Sequence, residues 1–207
     1  MKHPYVNQLL ITIVVLLCSA TANAHDFEVG GIYYNILSNE DKTVEVTYRG
    51  NSYHSFSDEY SGDVEIPEIV TYNGVSYNVT SIGEYAFIGC SKLTNITIAN
   101  SVTKIGDLAF NGCSSLASIN IPNSVTSIGC NAFYQTAWYN NQPNGVIYAG
   151  KVLYEYKGTM PLDTSIYIDE GTLGIADYAF QSCSSLVSIT IPNSVTTIGS
   201  SAFWYCI

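Results

Sequence analysis

The chain has 207 residues, of which 47% are hydrophobic and 12% charged, with seventeen Tyr, seven Phe and two Trp. An ordinary globular chain is about 25% charged, so this one is poor in charge and rich in aromatics, which excludes an intrinsically disordered chain. Seven Lys and Arg against seventeen Asp and Glu leave a net charge of −10, a field that opposes phosphate contacts and argues against a nucleic-acid partner.

The first 24 residues read as a leader. Lys2 and His3 precede the apolar run from Leu9 to Cys18, and Ala22-Asn23-Ala24 supplies the small residues of a cleavage site. That run is ten residues long, against the roughly twenty a bilayer span requires. The expectation is an exported protein, cleaved after Ala24, with no transmembrane span in the mature chain and a cell-surface, secreted or periplasmic location. Lipid attachment at Cys18 is the alternative. Leu17 stands where a small residue normally precedes a lipidated Cys, so Cys18 reads as part of the apolar run.

Without the leader, six bases face seventeen acids for a net −11. Residues 25–68 hold ten of the acids and two bases, whereas 69–207 hold seven acids and four bases. The acidic stretch thus sits at one end of a nearly neutral body. Within residues 25–63, the segments Phe27 to Tyr34 and Val44 to Tyr48 read as a short antiparallel meander. Further on, Asn73-Gly74, between Thr71 and Tyr77, carries the signal of a tight hairpin.

A repeat dominates the rest. Ser81-Ile82-Gly83-Glu84-Tyr85-Ala86-Phe87 recurs at Lys104 to Phe110, at Ser127 to Phe133, at Thr197 to Phe203 and, more weakly, at Gly174 to Phe180. The Phe landmarks 87, 110, 133, 180 and 203 are spaced 23, 23, 47 and 23, a solenoid-range period with one enlarged unit. Between landmarks lie Leu93-x-x-Ile96-x-Ile98, Leu116-x-x-Ile119-x-Ile121 and Leu186-x-x-Ile189-x-Ile191, whose Ile-x-Ile alternation is a strand signal. Ile-Pro-Asn-Ser-Val at 121–125 and 191–195 then reads as a corner, because Pro cannot continue a central strand. A lone coil of this kind buries too few apolar side chains to offset the entropy of ordering it, so coils must stack. The meander at 25–63 is placed to cover the first coil.

The enlarged unit contains an inserted hairpin at about 137–164, formed by Gly145 to Tyr156 and expected to turn at Ala149-Gly150. It brings Trp138, Tyr139, Tyr148, Tyr154 and Tyr156 together in sequence. At the other end the chain stops at Cys206-Ile207, where a further strand would begin. The expectation there is a missing C-terminal cap and self-association through the uncovered last coil.

The pattern Leu-x-x-Ile-x-Ile-Pro-x-x-Val-x-x-Ile-Gly-x-x-Ala-Phe-x-x-Cys resembles the 23-residue unit of the BspA-like, or treponemal-type, leucine-rich-repeat family over roughly residues 64–207. The resemblance implies a β-rich repeat solenoid, a right-handed leucine-rich-repeat coil with an N-terminal β-hairpin cap. It also implies an exported, non-enzymatic bacterial surface protein that binds host matrix or bacterial surface proteins as an adhesion module. A structural envelope protein, or a truncated remnant without its own ligand, is the alternative.

Cys90, Cys113, Cys183 and Cys206 each follow a landmark Phe by three residues, as a ladder of buried thiols would require. Disulfides or a metal site are the competing reading, which export favours but the lack of any C-x-x-C pair does not. Cys130 stands outside the ladder and is the candidate reactive thiol. After cleavage the only histidines are His25 and His54, so the repeat body lacks the base that nucleophilic catalysis requires. Asp58-Glu59 and Asp169-Glu170 read as solvated surface pairs, and no cofactor or metal motif is present in the sequence.

Two surfaces are candidates for a partner. The outward strand positions Thr94, Asn95, Thr97, Ala117, Ser118, Asn120, Val187, Ser188 and Thr190 form a small, neutral, flat face. The aromatics of the insert supply the anchors such a face lacks, or else pack on themselves to cover a distorted coil.

Overall fold

The computed structural model describes residues 25–50, 52–53 and 58–206. The leader at 1–24, His54 and Ile207 therefore lie outside the described residues, and with them the expected cleavage site. Among the described residues, no helix is long and apolar enough to cross a membrane.

Three strands open the chain: β1 (Phe27–Val29), β2 (Ile32–Ser38) and β3 (Thr43–Thr47), paired antiparallel through Phe27↔Tyr34 and Tyr34↔Val46. Alternation turns Tyr34, Val44 and Val46 inward, where all are buried. Next comes β4 (Gly62–Ile66), then the hairpin of β5 (Ile69–Tyr72) and β6 (Val75–Ile82). That hairpin turns at Asn73 and Gly74, whose φ angles of +48° and +77° suit a two-residue turn between twisted strands.

From here the chain winds through two parallel ladders. One carries β3, β6, β8 (Lys104–Ile105) and β9 (Ser127–Ile128), with Val46↔Ile82, Ile82↔Ile105 and Ile105↔Ile128 in register. The other pairs β4 with β7 (Leu93–Ile98), and Thr97 continues it by a bridge to Asn120. Short hydrogen bonds tie each turn to the next, with Gly106 N–H donating to Ile82 O at 2.8 Å and Gly129 N–H to Ile105 O at 2.9 Å. Between the ladders Phe87, Phe110 and Phe133 form a stacked column with ring centroids 5.0 and 5.6 Å apart.

The insert begins with a single helical turn, α1 (Ala137–Asn140), which the sequence reading missed because one turn has no periodicity to detect. Thr136 caps it, accepting the Tyr139 N–H at 3.0 Å. The hairpin of β10 (Gly145–Ala149) and β11 (Val152–Lys157) follows as expected, but it turns at Gly150-Lys151 rather than Ala149-Gly150. Ala149 is buried and pairs with Val152, so the left-handed residue is Gly150, at φ +61°.

The last coils carry β12 (Thr164–Tyr167) beside β14 (Leu186–Thr190), and β13 (Gly174–Ile175) beside β15 (Thr197–Ile198). The register returns as the sequence indicates, with Ile166↔Ile189 and Ile175↔Ile198. Strand β11 joins this second part by pairing parallel with β13, Leu153↔Ile175. Consecutive residues of the coil then face two neighbours, since Ala176 N–H donates to Leu153 O at 2.9 Å and Asp177 N–H to Ile128 O at 3.1 Å. The core divides here into two clusters, one running from Phe27 to Tyr154 and the other around Leu153, Met160, Ile175 and Phe180.

Candidate interaction surface

The outward positions of the strand ladder lie where alternation puts them. Thr94, Asn95, Thr97, Ser118, Asn120, Ser188 and Thr190 are all exposed, while Leu93, Ile96 and Ile98 between them are buried. Neighbouring strands are stitched across this face: Thr94 Oγ1 donates to Asp63 Oδ1 at 3.1 Å, and Ser188 Oγ to Ser165 Oγ at 2.8 Å. The face is not wholly small and neutral, however. Tyr167 (77% exposed) and Val187 (68% exposed) stand on it, in the paired strands β12 and β14. The Ser165-Ile166-Tyr167-Ile168 alternation carries the signal for Tyr167, since its neighbours Ile166 and Ile168 turn inward.

The insert's aromatics face mostly the other way. Tyr154 is 2% exposed and Tyr139 7%, so neither offers a surface to a partner. Tyr154 meets Phe133 edge-on at 5.3 Å between centroids, and half-buried Trp138 meets the same ring at 5.2 Å. Tyr139 Oη donates to Glu155 Oε1 at 3.1 Å, and the Lys157 ammonium sits 4.8 Å from the Tyr139 ring centroid. That ammonium also donates to the carbonyls of Tyr139, Asn140 and Gln142, closing the C-terminal end of α1. Tyr148 Oη accepts the Asp169 N–H at 3.0 Å, and Tyr156 packs half-buried against the second core cluster. Of the two readings of this cluster, the geometry favours cover for the distorted coil.

The thiols are inward. Cys90, Cys113 and Cys183 are buried, Cys206 is half-buried, and all five described cysteines are free. Cys113 Sγ donates to Phe87 O at 3.0 Å and Cys206 Sγ to Phe180 O at 2.8 Å, a rung between successive coils. Burial pushes the thiols of Cys90 and Cys183 up to about 11. Cys130, the candidate reactive thiol, sits in surroundings that disfavour its ionised form. It is half-buried, and burial together with Asp107, Asp177 and Glu155 pushes its thiol up, away from the thiolate.

The acidic side chains also depart from a simple solvated surface. Asp107 Oδ1 accepts the Cys130 N–H at 2.8 Å and Asp177 Oδ1 the Ser200 N–H at 2.6 Å, each bridging residues 23 apart. A Cβ at Gly129 or Gly199 would collide with these carboxylates, which is why glycine recurs there. Asp58 accepts from Ser91 Oγ at 2.8 Å and pairs with Lys92 Nζ at 3.1 Å, while Glu59 Oε2 accepts the Arg49 N–H at 2.8 Å. Burial raises the carboxyls of Glu45, Glu59, Glu155 and Asp177.

One cleft of about 400 Å³ lies against β3 and β6, lined by Asn35, Glu45, Tyr48, Tyr85 and Lys104, and a smaller one of about 110 Å³ holds Cys130, Glu155, Asp177 and Gln181. Among the described residues, no group of three His, Cys, Asp or Glu is arranged to hold a metal ion.

A chain of stacked strands with an inward Phe column is a repeat scaffold whose broad exposed face suits protein recognition. It belongs to the BspA-type leucine-rich-repeat family: the family's repeat region matches in six copies over residues 57–156 and 153–207. A leucine-rich-repeat protein of Bacteroides ovatus is 35% identical over 88% of this chain, with a TM-score of 0.52. This chain spans 45% of that protein's length. The leucine-rich-repeat protein of T. pallidum is 25% identical (TM-score 0.47), the match covering 87% of this chain and 67% of that one. A leucine-rich cell surface protein of Faecalibacterium prausnitzii is 26% identical (TM-score 0.43), with 86% and 45% covered. Among curated proteins none matches this chain.

Proposed function

We propose that this chain is an exported, non-enzymatic protein-binding or adhesion module of a bacterial cell surface. The observation that carries the reading is the outward strand face. There Asn95, Thr97, Ser118, Asn120 and Thr190 present hydrogen-bonding groups, and Tyr167 and Val187 supply exposed apolar anchors. Host matrix proteins or bacterial surface proteins are the partner class that the family membership supports. The finer architecture belongs to the same reading: a leader at 1–24, a β cap at 25–63, and a right-handed 23-residue coil over 64–207 interrupted by the insert. Backbone pairings 23 residues apart support that period.

Binding of the full chain to a panel of purified extracellular-matrix proteins tests the face directly. Tyr167→Ala with Asn120→Ala should reduce capture at least about tenfold while leaving the thermal transition in place, since both side chains are exposed. Capture that survives the pair intact would move the reading off this face.

A second contact surface is supported by the last coil, where Ile198, Trp204 and Tyr205 are exposed. Self-association there predicts a concentration-dependent mass in light scattering that Trp204→Ser abolishes.

A further inference from the structure

Strand β4 stands at the border of the first coil with a neighbour on one side only. Its ladder partner is β7, and no second strand is paired with it among the described residues. In a parallel pair alternate residues turn their N–H and C=O away from the partner, so one side of β4 presents backbone groups that no other strand pairs among the described residues. The cap does not close this edge, because β3 extends the other ladder by pairing with β6. What reaches over β4 instead is the β1–β2 turn at Gly30-Gly31. Beneath it lie two adjoining cavities of about 400 Å³ each. One is lined by Gly30, Ile32, Glu59, Asp63 and Glu65, the other by Gly30, Ile32, Glu65, Pro67 and Val70.

The walls are acidic. Glu59, Asp63 and Glu65 line the cavities and Glu68 flanks them. Glu59 Oε1 is buried without a hydrogen-bond partner, a carboxylate oxygen short of a donor. The nearby cations are Arg49, whose backbone N–H serves Glu59 Oε2, and Lys92, engaged by Asp58 at 3.1 Å. Five residues of strand give an edge of about 17 Å, the length of a short extended peptide.

We infer that this edge takes up an extended peptide segment of a partner protein bearing Lys or Arg, which adds to β4 as a further strand. The backbone edge supplies main-chain hydrogen bonds, and the carboxylates select the cationic side chains. The site adjoins the outward face at its first strand, where Asp63 and Glu65 stand in register with Asn95 and Thr97, but Asn120 and Tyr167, which test that face, lie on other coils, so the two readings fail separately.

The probe is a fluorescein-labelled peptide of about six alternating valines and lysines, followed by anisotropy on the full chain. Saturable binding is expected. It should weaken at least about tenfold when glutamates replace the lysines, and equally in Glu65→Lys or Glu59→Gln, which alter a surface charge and a half-buried carboxylate. N-methylation of alternate peptide nitrogens should abolish it, because a strand needs its N–H groups while charge attraction does not. Undiminished binding of the N-methylated peptide, or of the Glu65→Lys chain, would overturn the proposal. So would a dimer of the chain alone that Glu65→Lys dissociates, since a second copy would then be the occupant.

Discussion

The backbone N–H of Phe133 donates to the phenolic oxygen of Tyr154 at 3.1 Å, so the third ring of the Phe column is met edge-on by a residue of the insert. Tyr60 stands against the opposite end of the column, its ring 4.5 Å from Phe87 and its hydroxyl donating to Thr47 O at 2.8 Å. Tyrosine closes the column at both ends because each end needs an apolar ring and a polar group for the backbone beyond it.

Tyr154→Phe should therefore keep the packing and orphan the Phe133 N–H, lowering stability by about 1–3 kcal/mol. Tyr154→Ala, which also opens a cavity, should cost about 3–5 kcal/mol. Urea denaturation followed by tryptophan fluorescence reads both, and a Tyr154→Phe midpoint equal to the parent's would remove the role given to this bond.

Each coil holds a residue in the left-handed region two positions after its Phe landmark: Gly89 (φ +68°), Gly112 (+78°), Gln135 (+61°), Ser182 (+60°) and Tyr205 (+58°). Gln135 and Ser182 are exposed residues held where glycine has no steric cost. Gln135→Gly and Ser182→Gly should each stabilise by about 1 kcal/mol, visible as a raised melting temperature. A fall in both would mean that their side chains contribute more than the strain they carry.

Stability should decline as pH rises above the ordinary carboxyl range. Burial raises the carboxyls of Glu45, Glu59, Glu155 and Asp177 in the folded chain, so the folded state holds protons that the unfolded one has released. That contribution is complete below the ordinary carboxyl range and is lost as pH climbs through the raised values. Asp58 is shifted down by its bonds to Ser91 and Lys92 and opposes the trend, as one group against four. Urea midpoints across this range check the sign; a steady rise would contradict it, and Glu155→Gln should flatten the slope.

Native thiols should resist alkylation near pH 8. Cys90 and Cys183 titrate near 11 and Cys130 is also raised, so iodoacetamide should modify the folded chain slowly and Cys90, Cys113, Cys130, Cys183 and Cys206 rapidly in urea. Mass spectrometry counts the labels, and prompt labelling of native Cys130 would restore it as a reactive thiol.

Much of this molecule was legible before any coordinates. The spacing of Phe87, Phe110 and Phe133 announced a stacked column, the Ile-x-Ile alternation separated Ile96 and Ile98 from Asn95 and Thr97, and the Cys positions announced an inward ladder. The turn at Asn73-Gly74 was equally plain, because only a few residue types adopt paired left-handed conformations. The insert was less so. Five aromatic residues close in sequence do not say which of them faces in, and Tyr139 and Tyr154 turned out to be core. The bridging roles of Asp107 and Asp177 escaped notice because an acid in a turn looks solvated until the next coil is laid beside it.

Sequence alone determined the spacing of the repeats, the inward residues of their strands and the family, since side-chain alternation and turn chemistry act over a few residues and repeat wherever the pattern does. Tertiary structure decided how the coils meet at their interruptions: that Tyr154 ends one column, that Ala176 and Asp177 face two different strands, and that β4 pairs with β7 alone among the described residues. Those outcomes depend on which strand lies beside which, and strands distant in the chain are brought together by hydrogen bonding and burial that no local pattern specifies.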